Sequence, residues 1–209
     1  ASITEYLNAV LLYSLLQKQE HDFHLRLRPV RIAMPVNLRR FFPSKTLRNF
    51  ITMVYPSIDP RLGDYTFEEI VTQVHHYMRY YINSKFLRGD ITTNASTQRN
   101  PLIRIVPLFL KDFVVRQFYQ RVQDKNSSAG LTNMGAIRVP DDMKPYLERF
   151  DIYMGIPYSQ RTNCAIVSFE DTLTVNFASC IIEADVERRF FQKLVEDGIP
   201  VTIESNREL

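Results

Sequence analysis

The chain has 209 residues, 45% hydrophobic and 23% charged, with 26 basic against 23 acidic side chains and a formal net charge of +3. That length suits one domain able to bury roughly 70% of its unfolded surface. The near-balanced charge argues against a nucleic-acid partner, whose footprint is a basic patch and a more extreme pI.

Taken in chain order, Ser2-Ile3-Thr4-Glu5 has the S-x-x-E form of a capping box and leads straight into an apolar run. Ile3, Leu7, Val10, Leu11 and Leu15 recur at helical spacing and predict an amphipathic helix to about Gln19, packed on a sheet. A helix that starts at once, with no initiator Met and no signal sequence before it, is expected of a half cut from a longer protein. Leu25 to Val36 reads as an extended segment carrying Arg26, Arg28 and Arg31 and broken by Pro29 and Pro35, with a short turn or helix from Pro43-Ser44. Phe50 to Tyr55 follows as a strand stopped by Pro56. Thr66 and Glu69 form a second capping box, opening a helix whose stripe is Ile70, Val74, Tyr77 and Tyr81.

The polar stretch Ile91 to Asn100 predicts a connecting loop or a poorly capped helix, and Leu102 to about Val122 a strong helix with Phe109, Phe113, Val114 and Phe118 on one face. From Gly130 the period turns towards two. Leu131 to Val139, Phe150 to Gly155, Asn163 to Phe169 and Leu173 to Ser179 are strand candidates, the last two joined by a Glu170-Asp171 hairpin turn. A helix from Glu183 or Ala184 to about Glu196 ends at Gly198, and Pro200 to Ile203 reads as a short last strand. The order predicts an α+β, two-layer sandwich of helices on a mainly antiparallel or mixed sheet, as a single domain over 1–209. Cys164 and Cys180 sit in strand-like apolar runs, which predicts buried, reduced thiols and a cytoplasmic protein. No apolar stretch approaches the roughly 18 residues of a membrane span.

Two motifs stand out: Pro35-Val36-Asn37-Leu38-Arg39-Arg40 running on to Arg48-Asn49-Phe50, and Gly130-Leu131-Thr132-Asn133-Met134-Gly135. Together they resemble the C-terminal half of the chloramphenicol-acetyltransferase-like, condensation-domain-like acyltransferases, alcohol O-acetyltransferase branch, over about Ser2 to Ser205. The resemblance implies half of that fold. It also implies a tunnel shared with a missing N-terminal half, which would carry the HHxxxD. Here His75-His76 is followed by Tyr77-Met78-Arg79-Tyr80, with no Asp at the required place.

Acyl transfer from a thioester needs a base for the nucleophile's proton and donors for the oxyanion. In relatives of this kind a Ser or Thr hydroxyl of the C-terminal half reaches that oxyanion. The resemblance makes Thr132 the candidate donor and Asn133 the second, and it gives Arg39 and Asn49 structural roles in the loop and the half-to-half contact. The plainer reading leaves Thr132 a β-branched strand residue and Asn133 a turn residue before Gly135.

The implied function is the tunnel-forming half of a coenzyme A-dependent alcohol acyltransferase, inactive alone. It would hold no tightly bound cofactor and would use acyl-coenzyme A with an alcohol or amine acceptor. The alternative is a non-catalytic module of the same fold docking a carrier protein or partner subunit. An isolated half is also expected to self-associate through its uncovered face. No metal site is expected, since His21, His24, His75 and His76 lack further ligands at suitable spacing.

Overall fold

The computed structural model describes residues 1–22, 26–99, 107, 108, 110, 112, 127–157 and 160–206. Its first element forms as the capping box requires. The Ser2 hydroxyl accepts from the Glu5 N–H at 3.3 Å and the Glu5 carboxylate accepts from the Ser2 N–H at 2.7 Å, starting α1 (Ile3–His21). There follow β1 (Val30–Asn37), β2 (Ile51–Val54), β3 (Ser57–Ile58), α2 (Phe67–Tyr81), α3 (Ser84–Arg99), β4 (Ala129–Ala136), β5 (Thr162–Phe169), β6 (Thr172–Ser179) and α4 (Asp185–Glu196). The strands lie in the order β2-β1-β4-β5-β6, with β3 pairing β1 as well. The two central pairings, β1 with β4 and β4 with β5, are parallel, and the outer ones are antiparallel. The sheet is therefore mixed, with helices packed on it in an α+β two-layer arrangement.

The helix layer explains why the apolar patterns of its members differ. α2 and α4 bury single stripes, Ile70, Val74 and Met78 in one and Val186, Phe190 and Leu194 in the other. α1 packs against both of them and against β1. It accordingly buries Leu7, Ala9, Val10, Leu11, Leu12 and Leu16, which no single stripe could accommodate, while Ile3 of the predicted stripe stays exposed. The three helices are seamed at Phe67, whose ring meets Tyr6 and Tyr13 edge-on at 5.9 and 5.6 Å and carries the Lys193 ammonium 4.4 Å above it. Asp197 closes the seam by accepting from Tyr6 Oη at 2.5 Å and Lys193 Nζ at 2.6 Å. The bonds from Lys193 and Tyr6 hold its carboxyl below the usual range, and burial together with Asp197 pushes the Tyr6 hydroxyl well above its own.

Alternation along the strands sorts the sheet into two faces. Met34, Val36, Val54, Leu131, Cys164 and Ile166 join the helices in the core. The intervening residues of β5, Asn163, Ala165, Val167 and Phe169, point the other way and are buried too. They are covered by the segment 138–157, which lies along β5 without pairing to it. Phe150 stacks edge-on against Phe169 at 5.0 Å, and the Gly155 carbonyl accepts from Asn163 Nδ2 at 2.9 Å. Asn163 Oδ1 accepts in turn from the Gly130 N–H at 2.8 Å, so one buried amide clips β4, β5 and the covering segment together. A Cβ at Gly130 would lie 2.8 Å from that oxygen, which is why glycine stands there.

Several sequence expectations are corrected. Pro35 does not break the extended segment. β1 turns its odd-numbered N–H groups towards β4, as Arg31 shows by donating to Ser128 Oγ, and the β1–β4 ladder ends at Ala33 paired with Gly130. The donor Pro35 lacks therefore falls beyond the ladder. The stripe of α2 ends on Met78, with Tyr77 half-buried and Tyr81 exposed. Of the two forms expected from Ile91 to Asn100, residues 91–99 take the helical one, as the second half of α3. Phe150 to Gly155 forms no strand because it lies against the face of β5, where Phe150 meets Phe169, and not at a sheet edge, and Pro200 to Ile203 forms none either. Cys164 is buried but Cys180, just past β6, is exposed. The predicted helix from Leu102 to about Val122 lies almost wholly outside the described residues. Among the described residues, no helix is long and apolar enough to cross a membrane.

Phe190 is fully buried against Phe177 and Phe191, with ring centroids at 5.1 and 5.5 Å. Phe190→Ala is expected to cost about 3–5 kcal/mol, measured by urea unfolding; a loss under about 1 kcal/mol would mean that α4 does not dock as described. Asn8 is 0% exposed, with Oδ1 unpartnered among the described residues and Nδ2 3.9 Å from the Met34 sulfur. Asn8→Leu is expected to leave stability unchanged or raise it, because it removes an orphaned acceptor of similar volume. A fall in Tm would contradict that packing.

Candidate functional site

The two motif residues of β4 face opposite ways. Leu131 belongs to the core beneath the helices, so Thr132 projects from the other face and Asn133 back towards the helix layer. Asn133 is fully engaged there: Nδ2 donates to Thr4 Oγ1 on α1 at 2.9 Å, and Oδ1 accepts from the Gly135 N–H at 2.8 Å. The second bond forms a local turn where the β4–β5 register shifts, between Asn133 and Ala136. Asn133 therefore ties the end of β4 to the first turn of α1.

Thr132 is half-buried and lies in register with Ala165 of β5, and its hydroxyl makes no hydrogen bond to a described residue. Two residues beyond the last β1–β4 pair, Pro35 comes level with it and is itself paired to Met53 of β2. Pro35, Met53 and Ile51 alternate with the core residues Met34, Val36 and Val54, and so share the face of Thr132. Where the segment 138–157 covers β5, this neighbouring strip stays open, with Ile51, Met53 and Met134 exposed at 48%, 38% and 63%. A hydroxyl donor thus stands at the margin of an apolar strip that is exposed among the described residues.

Arg39 occupies the carboxyl end of β1. The Asn37 side chain caps the short turn Leu38–Arg40 by accepting from the Arg39 N–H at 3.0 Å. The Arg39 guanidinium then gathers the following loop, Nη2 donating to the carbonyls of Thr46 at 2.9 Å and Arg48 at 2.6 Å. Asn49 is exposed on that loop. Arg39 here fixes the backbone of the loop while remaining exposed.

A second polar group sits at the start of α1, and no spacing in the sequence points to it. Glu5 is only 8% exposed in its side chain and binds His75 Nδ1 of α2 at 3.1 Å in addition to capping α1. Burial would raise its carboxyl, but the bonds from Ser2 and His75 outweigh that and hold it below the usual range. His75 is half-buried and His76 exposed. Elsewhere, burial pushes the Cys164 thiol far up, so it stays protonated and unreactive. Among the described residues, no three of His, Cys, Asp and Glu are grouped as a metal would need.

The chain matches no family model, and no curated protein matches it.

Because Glu5 titrates lower folded than unfolded, its bonds stabilise the fold above the ordinary carboxyl range near 4.5 and lose that effect as pH falls through the lowered value. Thermal unfolding followed downward from about pH 5 is therefore expected to show a shallower fall in Tm for Glu5→Gln than for the wild type. Parallel acid limbs in the two proteins would mean that the buried carboxylate is not held as described.

Proposed function

We propose that this chain is the C-terminal, tunnel-forming half of a cytoplasmic, coenzyme A-dependent alcohol acyltransferase, supplying an oxyanion donor and pocket wall and inactive alone. The observation that carries this reading is the position of Thr132, with its hydroxyl on the sheet face away from the helices, beside an open apolar strip. The motif resemblance supports it.

In such an enzyme the acceptor hydroxyl loses its proton to a base on the other half and attacks the thioester carbonyl. The carbonyl oxygen gains negative charge as the tetrahedral intermediate forms, and the Thr132 O–H donates to it. The intermediate then collapses with departure of the coenzyme A thiolate. The apolar strip excludes water, which would otherwise compete with the acceptor and weaken the donor's effect. Asn133 serves the same site indirectly in this scheme, by fixing the strand that carries Thr132.

The same open strip, Ile51, Met53 and Met134, is also what a non-catalytic docking module would present. Kinetics separate the two. The 209-residue chain alone is expected to release no thiol from acetyl-coenzyme A with an alcohol acceptor, and joined to a half carrying the HHxxxD it should turn over. In that joined enzyme Thr132→Val, nearly isosteric, is expected to lower kcat by about 10-fold or more and leave KM within a few-fold. Asn133→Ala should be milder in kcat and should show its effect in stability instead. Wild-type turnover by a folded Thr132→Val enzyme would remove the donor assignment, and no turnover by the joined halves would favour the docking module.

A further inference from the structure

The near-neutral net charge conceals a segregated one. Between Asp22 and Asp59 there is no acidic residue, yet Arg26, Arg28, Arg31, Arg39, Arg40, Lys45 and Arg48 all fall in that interval. Four of these seven lie within ten residues at the carboxyl end of β1, on the loop that follows Asn37.

Three observations distinguish this loop from an ordinary solvated stretch. First, Arg40, Lys45 and Arg48 are exposed, and none is ion-paired to a described residue. Lys18, Arg61, Lys144, Arg149 and Lys193 each hold a carboxylate where an acid is within reach, whereas the loop lies in an interval that has no acidic residue at all. Second, the loop is built rather than loose. Arg39 binds two of its carbonyls, Ser44 Oγ accepts from the Thr46 N–H at 3.3 Å, and Thr46 Oγ1 accepts from the Arg48 N–H at 3.2 Å. One guanidinium is spent on shape, which leaves the other three cations on a preorganised backbone. Third, the loop adjoins the open strip. β1 and β4 are parallel, so Arg40 and Thr132 lie towards the same end of the sheet, with Pro35, Met53 and Ile51 on the way between them. From Pro35 the strand runs on to Asn37 and turns at once through Leu38–Arg40, which sets Arg40 just past the end of β1.

A ligand suited to this layout carries several negative charges at one end and an uncharged, extended arm at the other. We infer that the loop 39–48 binds the phosphate groups of the acyl donor, a coenzyme A thioester, through Arg40, Lys45 and Arg48. Its pantetheine arm then runs along Met53 and Pro35 to bring the thioester to Thr132. This rests on the acyltransferase reading for the identity of the donor, and on charge and geometry for its place. Clustered phosphates gain charge-assisted hydrogen bonds from such cations, and the uncharged arm gains from the apolar strip.

The test is equilibrium binding by the 209-residue chain, by calorimetry, of coenzyme A, coenzyme A lacking its 3′-phosphate, and pantetheine. Affinity is expected to fall in that order. Arg40→Gln, Lys45→Gln and Arg48→Gln combined are expected to weaken coenzyme A binding by about 10-fold or more, reduce its salt dependence, and leave pantetheine binding unchanged. All three side chains are exposed, so the variant should keep the wild-type Tm, and Arg26→Gln with Arg28→Gln serves as a control of equal charge type that should bind as the wild type does. Equal coenzyme A affinity in the triple variant, equal loss in the control, or no dependence on the phosphates would overturn the inference. The acyltransferase reading would survive that result if the joined halves still turn over. Phosphate-dependent binding without any turnover would sustain the loop assignment and sink the reading.

Discussion

The burial of α1 on three sides is the constraint from which the rest of the structure follows. A helix held by a sheet below and by α2 and α4 at its flanks must be apolar around most of its circumference, and Leu7, Val10, Leu11, Leu12 and Leu16 meet that demand. The polar groups that α1 does bury are then confined to places with partners. Ser14 donates to the Val10 carbonyl at 2.8 Å within the helix, and Glu5 is shared between its own cap and His75. Asn8, with its oxygen unpartnered among the described residues, is the exception.

That fixed helix start also determines what β4 can present. Thr4 of α1 takes the Asn133 amide, so β4 is pinned with its odd residues towards the helices, and Thr132 has only the opposite face available. On that face the segment 138–157, clipped by Asn163, covers β5 and stops short of β1 and β2. The strip beside Thr132 is therefore the part of that face that this segment leaves exposed. Arg39 performs a similar task at the next strand end, where two carbonyl bonds shape the loop that leaves Arg40, Lys45 and Arg48 outward.

The sequence made much of this legible, and for local reasons. Both capping boxes, the β5–β6 hairpin and the C-terminal end of α4 at Gly198, with its φ of 81°, depend on neighbours a few residues apart. What stayed hidden depends on partners far along the chain. The Asn133–Thr4 bond joins residues 129 apart and the Glu5–His75 pair residues 70 apart, and no spacing rule reports either. Phe150 to Gly155 has the alternation of a strand, but alternation describes which side is apolar and not whether an edge is free to pair. Pro35 misled for the converse reason, since a proline breaks a ladder only on the side where its N–H would have donated. Charge failed as a guide when summed over the chain and became informative only when read by position, between Asp22 and Asp59.

The central claim is that the face carrying Thr132 is where a thioester carbonyl is held. A structure of the protein bound to a non-hydrolysable acetyl-coenzyme A analogue tests it most directly. The account predicts the carbonyl oxygen within hydrogen-bond distance of Thr132 Oγ1, the arm against Met53 and Pro35, and the phosphates at Arg40, Lys45 and Arg48. An analogue bound on the helix face, or one whose carbonyl lies beyond the reach of Thr132, would contradict it.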